Sequence, residues 1–108
     1  MKCVPLDNAA QLEELAAAPG PRLLLKHNTT CPISRGVLER LQLPDNEIDG
    51  VDALYVLDLM QHRDISDAVA DRFGVEHASP QLLLLKNGSC TYHQSGFAIS
   101  TDEVADAL

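Results

Sequence analysis

Cys31 is the residue of this chain best placed to do chemistry. It lies in the stretch Lys26-His27-Asn28-Thr29-Thr30-Cys31-Pro32-Ile33-Ser34, where a polar loop follows an apolar run and Pro32 opens an amphipathic segment. Proline is favoured in the first turn of a helix, which puts Cys31 at or next to the N-cap. The first N–H groups of a helix have no intrahelical partner, and the macrodipole adds partial positive charge there. A thiol in that position ionises more readily than a free one, and the thiolate is both nucleophile and leaving group. Lys26, His27 and Arg35 are close in sequence and add local positive charge. The bland alternative is a small buried cysteine that merely precedes a helix.

Ser34 decides which exchange chemistry is expected. Cys31-Pro32-Ile33-Ser34 has the spacing of a dithiol redox motif with Ser in place of the second thiol. A second thiol would resolve a mixed disulfide internally. A hydroxyl does not, so the mixed disulfide persists until an outside thiol attacks it. The expected reaction is monothiol exchange, with Ser34 in reach of the thiolate as a hydrogen-bond donor. Pro80, preceded by Ser79, belongs to a loop expected beside Cys31. A cis bond there would leave the preceding backbone free to pair with an extended substrate. Only ~5–6% of X–Pro bonds are cis, so the sequence leaves the isomer open.

The remaining thiols and imidazoles are weaker. Cys90 reads as a small half-buried hydrophobe in a strand, and Cys3 as part of a mobile terminus. Either is a conceivable resolving thiol. His27, His77 and His93 with Cys31 and Cys90 offer metal-type ligands, but no Cys-x-x-Cys or His-x3-His pair organises them, and no metal is expected. His27 is better read as a local cation or hydrogen-bond donor at a strand end. A cysteine-phosphatase loop needs Arg six residues after the nucleophile, where this chain has Val37.

These residues need elements to position them. Asn8 with Gln11 forms a capping box ahead of Leu12, Leu15 and Ala16, and Pro19-Gly20-Pro21 stops that helix. Arg22 to His27 reads as a buried strand, and Ile33, Val37, Leu38 and Leu41 as the inner stripe of the helix after Cys31. Ala53 to Met60 is a second strand. A helix follows from near Asp64 to Phe73, with Gly74 as its left-handed cap. Gln81 to Lys86 and Ser89 to Gln94 flank Asn87-Gly88, a strong hairpin signal. Ser100 with Glu103 caps a last helix. The order α-β-α-β-α-β-β-α predicts one domain over residues 1–108 and a mixed four-stranded sheet with helices on both faces, which resembles the thioredoxin-like α/β architecture.

Composition bounds the partners. The chain has 108 residues, 45% hydrophobic and 22% charged, which suits one globular domain. Its formal charge is −8, against nucleic-acid or anionic-membrane binding, since phosphate surfaces reward Lys and Arg. The distribution is uneven: Arg22 to Arg40 carries +3, so everything else sums to −11. An odd count of three widely spaced cysteines, with no signal-peptide pattern at Met1–Asp7, points to a reducing, cytoplasmic setting.

The stretch from Lys26 to Ser34 resembles the monothiol bacilliredoxins, redox proteins of the bacillithiol system. Arg63-Asp64-Ile65-Ser66, Arg72-Phe73-Gly74-Val75, His77-Ala78-Ser79-Pro80-Gln81 and Lys86-Asn87-Gly88 extend the resemblance in order along the chain. It implies a thioredoxin-like fold in which Cys31 attacks the disulfide between a protein cysteine and bacillithiol. The client protein leaves as a thiol, and Cys31 carries the bacillithiol until another thiol removes it. No cofactor is implied beyond bacillithiol as thiol co-substrate, and the partners are S-bacillithiolated proteins. Cys31 and Ser34 would be catalytic, with Lys26, His27, Thr30, Pro32, Arg35, Ser79 and Pro80 around the substrate. Bacillithiol carries two carboxylates, so Arg22, Lys26, Arg35 and Lys86 are the cations expected to steer it. A dithiol reductase that uses Cys3 or Cys90, and a non-catalytic redox-sensing or binding module, stand as alternatives.

Overall fold

The computed structural model describes Met1–Leu108. Its elements are β1 (Lys2–Pro5), α1 (Ala9–Ala17), β2 (Pro21–His27), α2 (Pro32–Gln42), β3 (Ala53–Asp58), α3 (Arg63–Phe73), β4 (Gln81–Lys86), β5 (Ser89–Ser95) and α4 (Thr101–Ala107). Short 3-10 turns occupy Pro44–Asn46 and Gly96–Ala98. The sheet order is β1-β3-β2-β4-β5. β3 lies parallel to β1 and β2, while β4 runs antiparallel to β2 and β5 antiparallel to β4.

The sheet therefore has five strands, not four, and the added one is β1. Lys2 and Pro5 bracket only two residues, too few for an alternating pattern. Pairing with β3 creates the strand, from Lys2 opposite Ala53 to Pro5 opposite Val56. Cys3 is accordingly not in a mobile terminus: it pairs with Leu54, and Met1 before it is buried.

Two apolar layers hold the sheet, and the central strands serve both. Leu23 and Leu25 of β2 face Val37 and Leu41 of α2 and Val104 of α4. Leu24, between them, faces Leu12 and Leu15 of α1 and Ile65 and Val69 of α3. β4 repeats this with Leu82 and Leu84 on the first face and Leu83 and Leu85 on the second. That is why both strands read as unbroken leucine runs. Truncating a fully buried leucine such as Leu24 to alanine would cost about 2–5 kcal/mol.

Local signals close the elements. Asn8 and Gln11 complete both halves of the capping box on α1, and Ser100 accepts the N–H of Glu103 at α4. Gly74 ends α3 with φ +65, and Asn87 and Gly88 take φ +51 and +84 in the hairpin. A Cβ on Gly88 would lie 3.0 Å from the Ala16 carbonyl, so glycine is required there twice over. Both sheet margins are short or irregular: β1 has four residues and ends in Pro5, and the β4–β5 ladder shifts register between Leu84 and Leu85, opposite Tyr92 and Cys90.

The registers also sort the sheet into two ends. His27 pairs with Asp58 and Lys26 with Gln81, so the exits of β2 and β3 and the entry of β4 lie together. At the other end Pro21 pairs with Lys86, beside the hairpin.

Candidate active site

Cys31 is the N-cap of α2, as the proline signal predicted, with extended backbone at φ −98 and ψ 119. Its N–H donates to the Asn28 carbonyl at 3.1 Å, and its carbonyl accepts the N–H of Arg35 at 3.0 Å. The backbone is thus committed on both sides. The thiol is free, half-buried and makes no capping bond, which leaves its sulfur available above the first turn.

Asn28 builds the loop that presents it. Its Oδ1 accepts from the N–H and the hydroxyl of Thr30, at 2.9 and 2.7 Å, and its own N–H donates to Ser34 Oγ at 2.9 Å. Sequence reasoning passed over Asn28, although an Asn two residues before a Thr at a loop start signals such a turn. Thr30, Pro32 and Arg35 are exposed around the thiol.

Ser34 is fully buried, and its hydroxyl is engaged away from Cys31. It accepts from Asn28 and meets His27 Nδ1 at 2.7 Å. Burial pushes the His27 imidazole below its ordinary value, with Asp58 opposing, so the ring is neutral near pH 7. With Nδ1 as acceptor, the single Ser34 proton goes to His27 while the Ser34 oxygen accepts from the Asn28 N–H. The expected bond from Ser34 to the thiolate is therefore absent. His27 is thus not the local cation expected but a buried neutral ring that anchors α2 to β2. Ile33, assigned to the inner stripe, is instead 38% exposed, because Ser34 occupies the inward position.

Pro80 is buried, its bond to Ser79 is cis, and Ser79 is exposed. The Pro80 carbonyl accepts the N–H of Gly96 at 3.0 Å, tying the start of β4 to the end of β5. Beyond β3 and β5, Met60 and Phe97 are 60% and 72% exposed and join Ile33 as apolar side chains near this end.

The other cysteines are remote from Cys31. Cys3 Sγ accepts from Gln42 Nε2 at 3.4 Å, and Gln42 is the last residue of the helix that Cys31 caps. By register Cys3 is level with Leu54 and Leu23, two strands across and four residues short of His27. That places it roughly 16 Å from the end of β2 that leads to Cys31, whereas a disulfide needs Cα atoms within ~7 Å. Cys90 lies opposite Leu85, toward the hairpin end, and packs against the layer of α1 and α3 on the far face. Cys31 has no resolving thiol beside it.

The model of the family "Monothiol bacilliredoxin BrxC" matches residues 4–104, nearly the whole chain. The chain belongs to the monothiol bacilliredoxin family. A solved structure with a thioredoxin fold, described as that of an oxidoreductase, is similar at 29% identity and TM-score 0.82, over 97% of this chain and 92% of that one. Thioredoxin from Trypanosoma brucei brucei superposes at TM-score 0.79 with 11% identity, over 99% and 88% of the two chains. Mitochondrial thioredoxin 3 from Saccharomyces cerevisiae does so at 0.75 with 15% identity, over 98% and 92%. Those two show the fold alone. Family and fold together make the chain a thioredoxin-fold protein with a thiol redox role.

In this bacilliredoxin the charges that looked like one basic patch are scattered. Lys26 has 0% exposure and lies on the α3 side of β2. Its ammonium donates to the Ser66 carbonyl at 3.2 Å and to His77 Nδ1 at 3.3 Å, and burial holds it below the ordinary lysine value. Lys26 is therefore not a surface cation for an incoming ligand. Arg22 and Lys86 belong to the hairpin end, about 13–17 Å along the strands from His27 and Gln81. Arg40 is tied to the Ile99 carbonyl. Of the four cations expected to steer the ligand, Arg35 alone is exposed beside Cys31. His27 and His77 face opposite layers of the sheet, and no three His, Cys, Asp or Glu side chains converge. No helix is long and apolar enough to cross a membrane.

Proposed function

We propose that this protein removes bacillithiol from S-bacillithiolated client proteins by monothiol exchange at Cys31. The carrying observation is the solitary thiol: Cys31 caps α2, and the position that would hold a resolving cysteine is the buried, fully hydrogen-bonded Ser34. The Cys31 thiolate attacks the bacillithiol sulfur of the mixed disulfide. That S–S bond breaks, a new one joins Cys31 to bacillithiol, and the client thiolate leaves and takes up a proton. A second, external thiolate then attacks the bacillithiol sulfur, which restores the Cys31 thiolate and carries bacillithiol away as a new disulfide. The reaction needs no cofactor beyond these thiols. Membership of the family supports bacillithiol as the co-substrate.

Thr30, Pro32 and the exposed Ser79 border the incoming disulfide, and Ile33, Met60 and Phe97 offer apolar contact to a protein client. Arg35 faces the carboxylates of the bacillithiol moiety. His27 and Lys26 serve from below, by fixing the elements that carry the contacts. The test is catalytic removal of bacillithiol from a model protein in the presence of excess thiol. Many turnovers per enzyme are expected, and Cys31→Ser should abolish them. Release that stops at one equivalent would show a sensor and not a catalyst. Equal activity on glutathione and coenzyme A adducts would retain monothiol exchange and remove the bacillithiol assignment.

A further inference from the structure

Lys26 is the one fully buried charged side chain of the chain, and no carboxylate lies within salt-bridge distance of it. An unpaired buried ammonium opposes folding, and an apolar side chain at this core position would not. Its value must then lie in what it holds. One contact is the Ser66 carbonyl in α3, and the other is His77 Nδ1, in the loop that leads to Ser79 and Pro80. The same loop is held at its start, where Gln81 Nε2 donates to the Glu76 carbonyl at 3.0 Å. Gln81 is the cross-strand partner of Lys26, and its Oε1 is buried with no partner. The residues from Glu76 to Pro80 thus form an arch whose underside rests on β2 through Lys26. His77 Nδ1 also lies 3.3 Å from Ser66 Oγ, so the arch is held against α3 as well as against β2. The charged groups of α3 that act on Lys26 and His77 are Arg63 and Asp67, both exposed.

We propose that Lys26 is a positioning residue for substrate: through His77 it sets the arch that presents the Ser79 backbone to a disulfide bound at Cys31. The assignment rests on the exchange reaction proposed above and adds how the docking side of the site is held. Lys26 sits on the opposite face of β2 from Cys31's helix and does not touch the reacting sulfurs. Its loss should therefore weaken substrate docking and leave the nucleophile unchanged.

The experiment compares His77→Leu, His77→Gln, Lys26→Met and the double variant Lys26→Met/His77→Leu. His77 is only half-buried, so its variants keep the proposal testable should Lys26→Met fail to fold. His77→Leu is expected to raise KM for a bacillithiolated protein at least fivefold, with kcat and Cys31 alkylation changed less than twofold. His77→Gln returns an acceptor oxygen and should restore KM to within twofold. Lys26→Met should match His77→Leu, and the double variant should add nothing further. Amide hydrogen exchange at Ala78 and Ser79 should quicken in both single variants, a readout that needs no substrate. An unchanged KM and exchange rate in His77→Leu would overturn the proposal, as would a fall in Cys31 alkylation parallel to the loss of activity. Failure of the wild-type protein to act on bacillithiolated clients, with the exchange differences intact, would remove the substrate reading alone.

Discussion

Lys26 and His27 are consecutive in β2 and bind opposite layers of the molecule. Lys26 reaches His77 at 3.3 Å on the side of α3, and His27 reaches Ser34 at 2.7 Å on the side of α2. The alternation of a strand turns one dipeptide into two anchors, one beneath the Ser79 loop and one beneath the helix of Cys31. Neither anchor contacts Cys31, yet both lie under the elements that flank it.

Ser34 is accordingly a structural hydroxyl before it is anything else. Ser34→Ala leaves the Asn28 N–H and His27 Nδ1 without their partner, which should cost about 1–3 kcal/mol of stability. Urea denaturation measures that loss. Cys31 alkylation at neutral pH should change by less than threefold. A drop of tenfold or more, in a variant still folded, would return Ser34 to the role of thiolate donor.

The three thiols should separate on labelling. Burial pushes the Cys90 thiol up, although hydrogen bonding to the backbone of Tyr92 and Leu84 opposes it. Cys31 sits half-exposed at a helix N-terminus. Limiting iodoacetamide at pH 7 should modify Cys31 first and Cys90 last, as read by peptide mass. Preferential labelling of Cys90 would contradict the burial described for β5.

Acid should destabilise the fold through His27. Its folded value lies below the ordinary 6.5, so the unfolded chain takes up the proton first as pH falls. Full stability is present above pH 6.5, declines as pH drops toward the depressed folded value, and stops declining below it. His77 acts in the same direction. Denaturation midpoints at pH 7.5 and 5.5 should differ, and His27→Asn should narrow the difference, leaving the part due to His77. Lys26 works at the other extreme: its lowered value means that stability rises as pH climbs toward 10.5.

Charge substitutions should divide by position. Arg22→Ala and Lys86→Ala, at the hairpin end, should leave exchange with bacillithiol disulfide within twofold of wild type. Arg35→Ala should slow it about twofold to fivefold, the reach of one exposed charge, and added salt should shrink the gap. A larger effect from Arg22 or Lys86 would restore the basic patch that the fold disperses.

Much of this was legible in the chain itself, because it rested on local rules. Pro32 announced the N-cap cysteine, Asn87-Gly88 the hairpin and Gly74 the helix end. The missing second thiol pointed to the monothiol family that the chain belongs to. What escaped depended on pairing between distant segments. β1 exists through its register with β3, and the burial of Lys26 through Ser66 and His77, which lie 40 and 51 positions away. The +3 segment was real as a count, but strand direction carried Arg22 to one end, pleating turned Lys26 inward, and only Arg35 stayed near the thiol. Ile33 and Ser34 exchanged their expected environments because a hydroxyl with two buried partners satisfies the inward position of α2.

The blunted margins of the sheet bear on how a client can be gripped. An open, regular edge is a template for strand addition, but here one border is a four-residue strand closed by Pro5 and the other is broken in register near Cys90. In the exchange proposed above, main-chain pairing with an extended client is withheld from these flanks and falls to the exposed Ser79. Selectivity for where a visitor lands is built into the outline of the sheet as well as into the thiol.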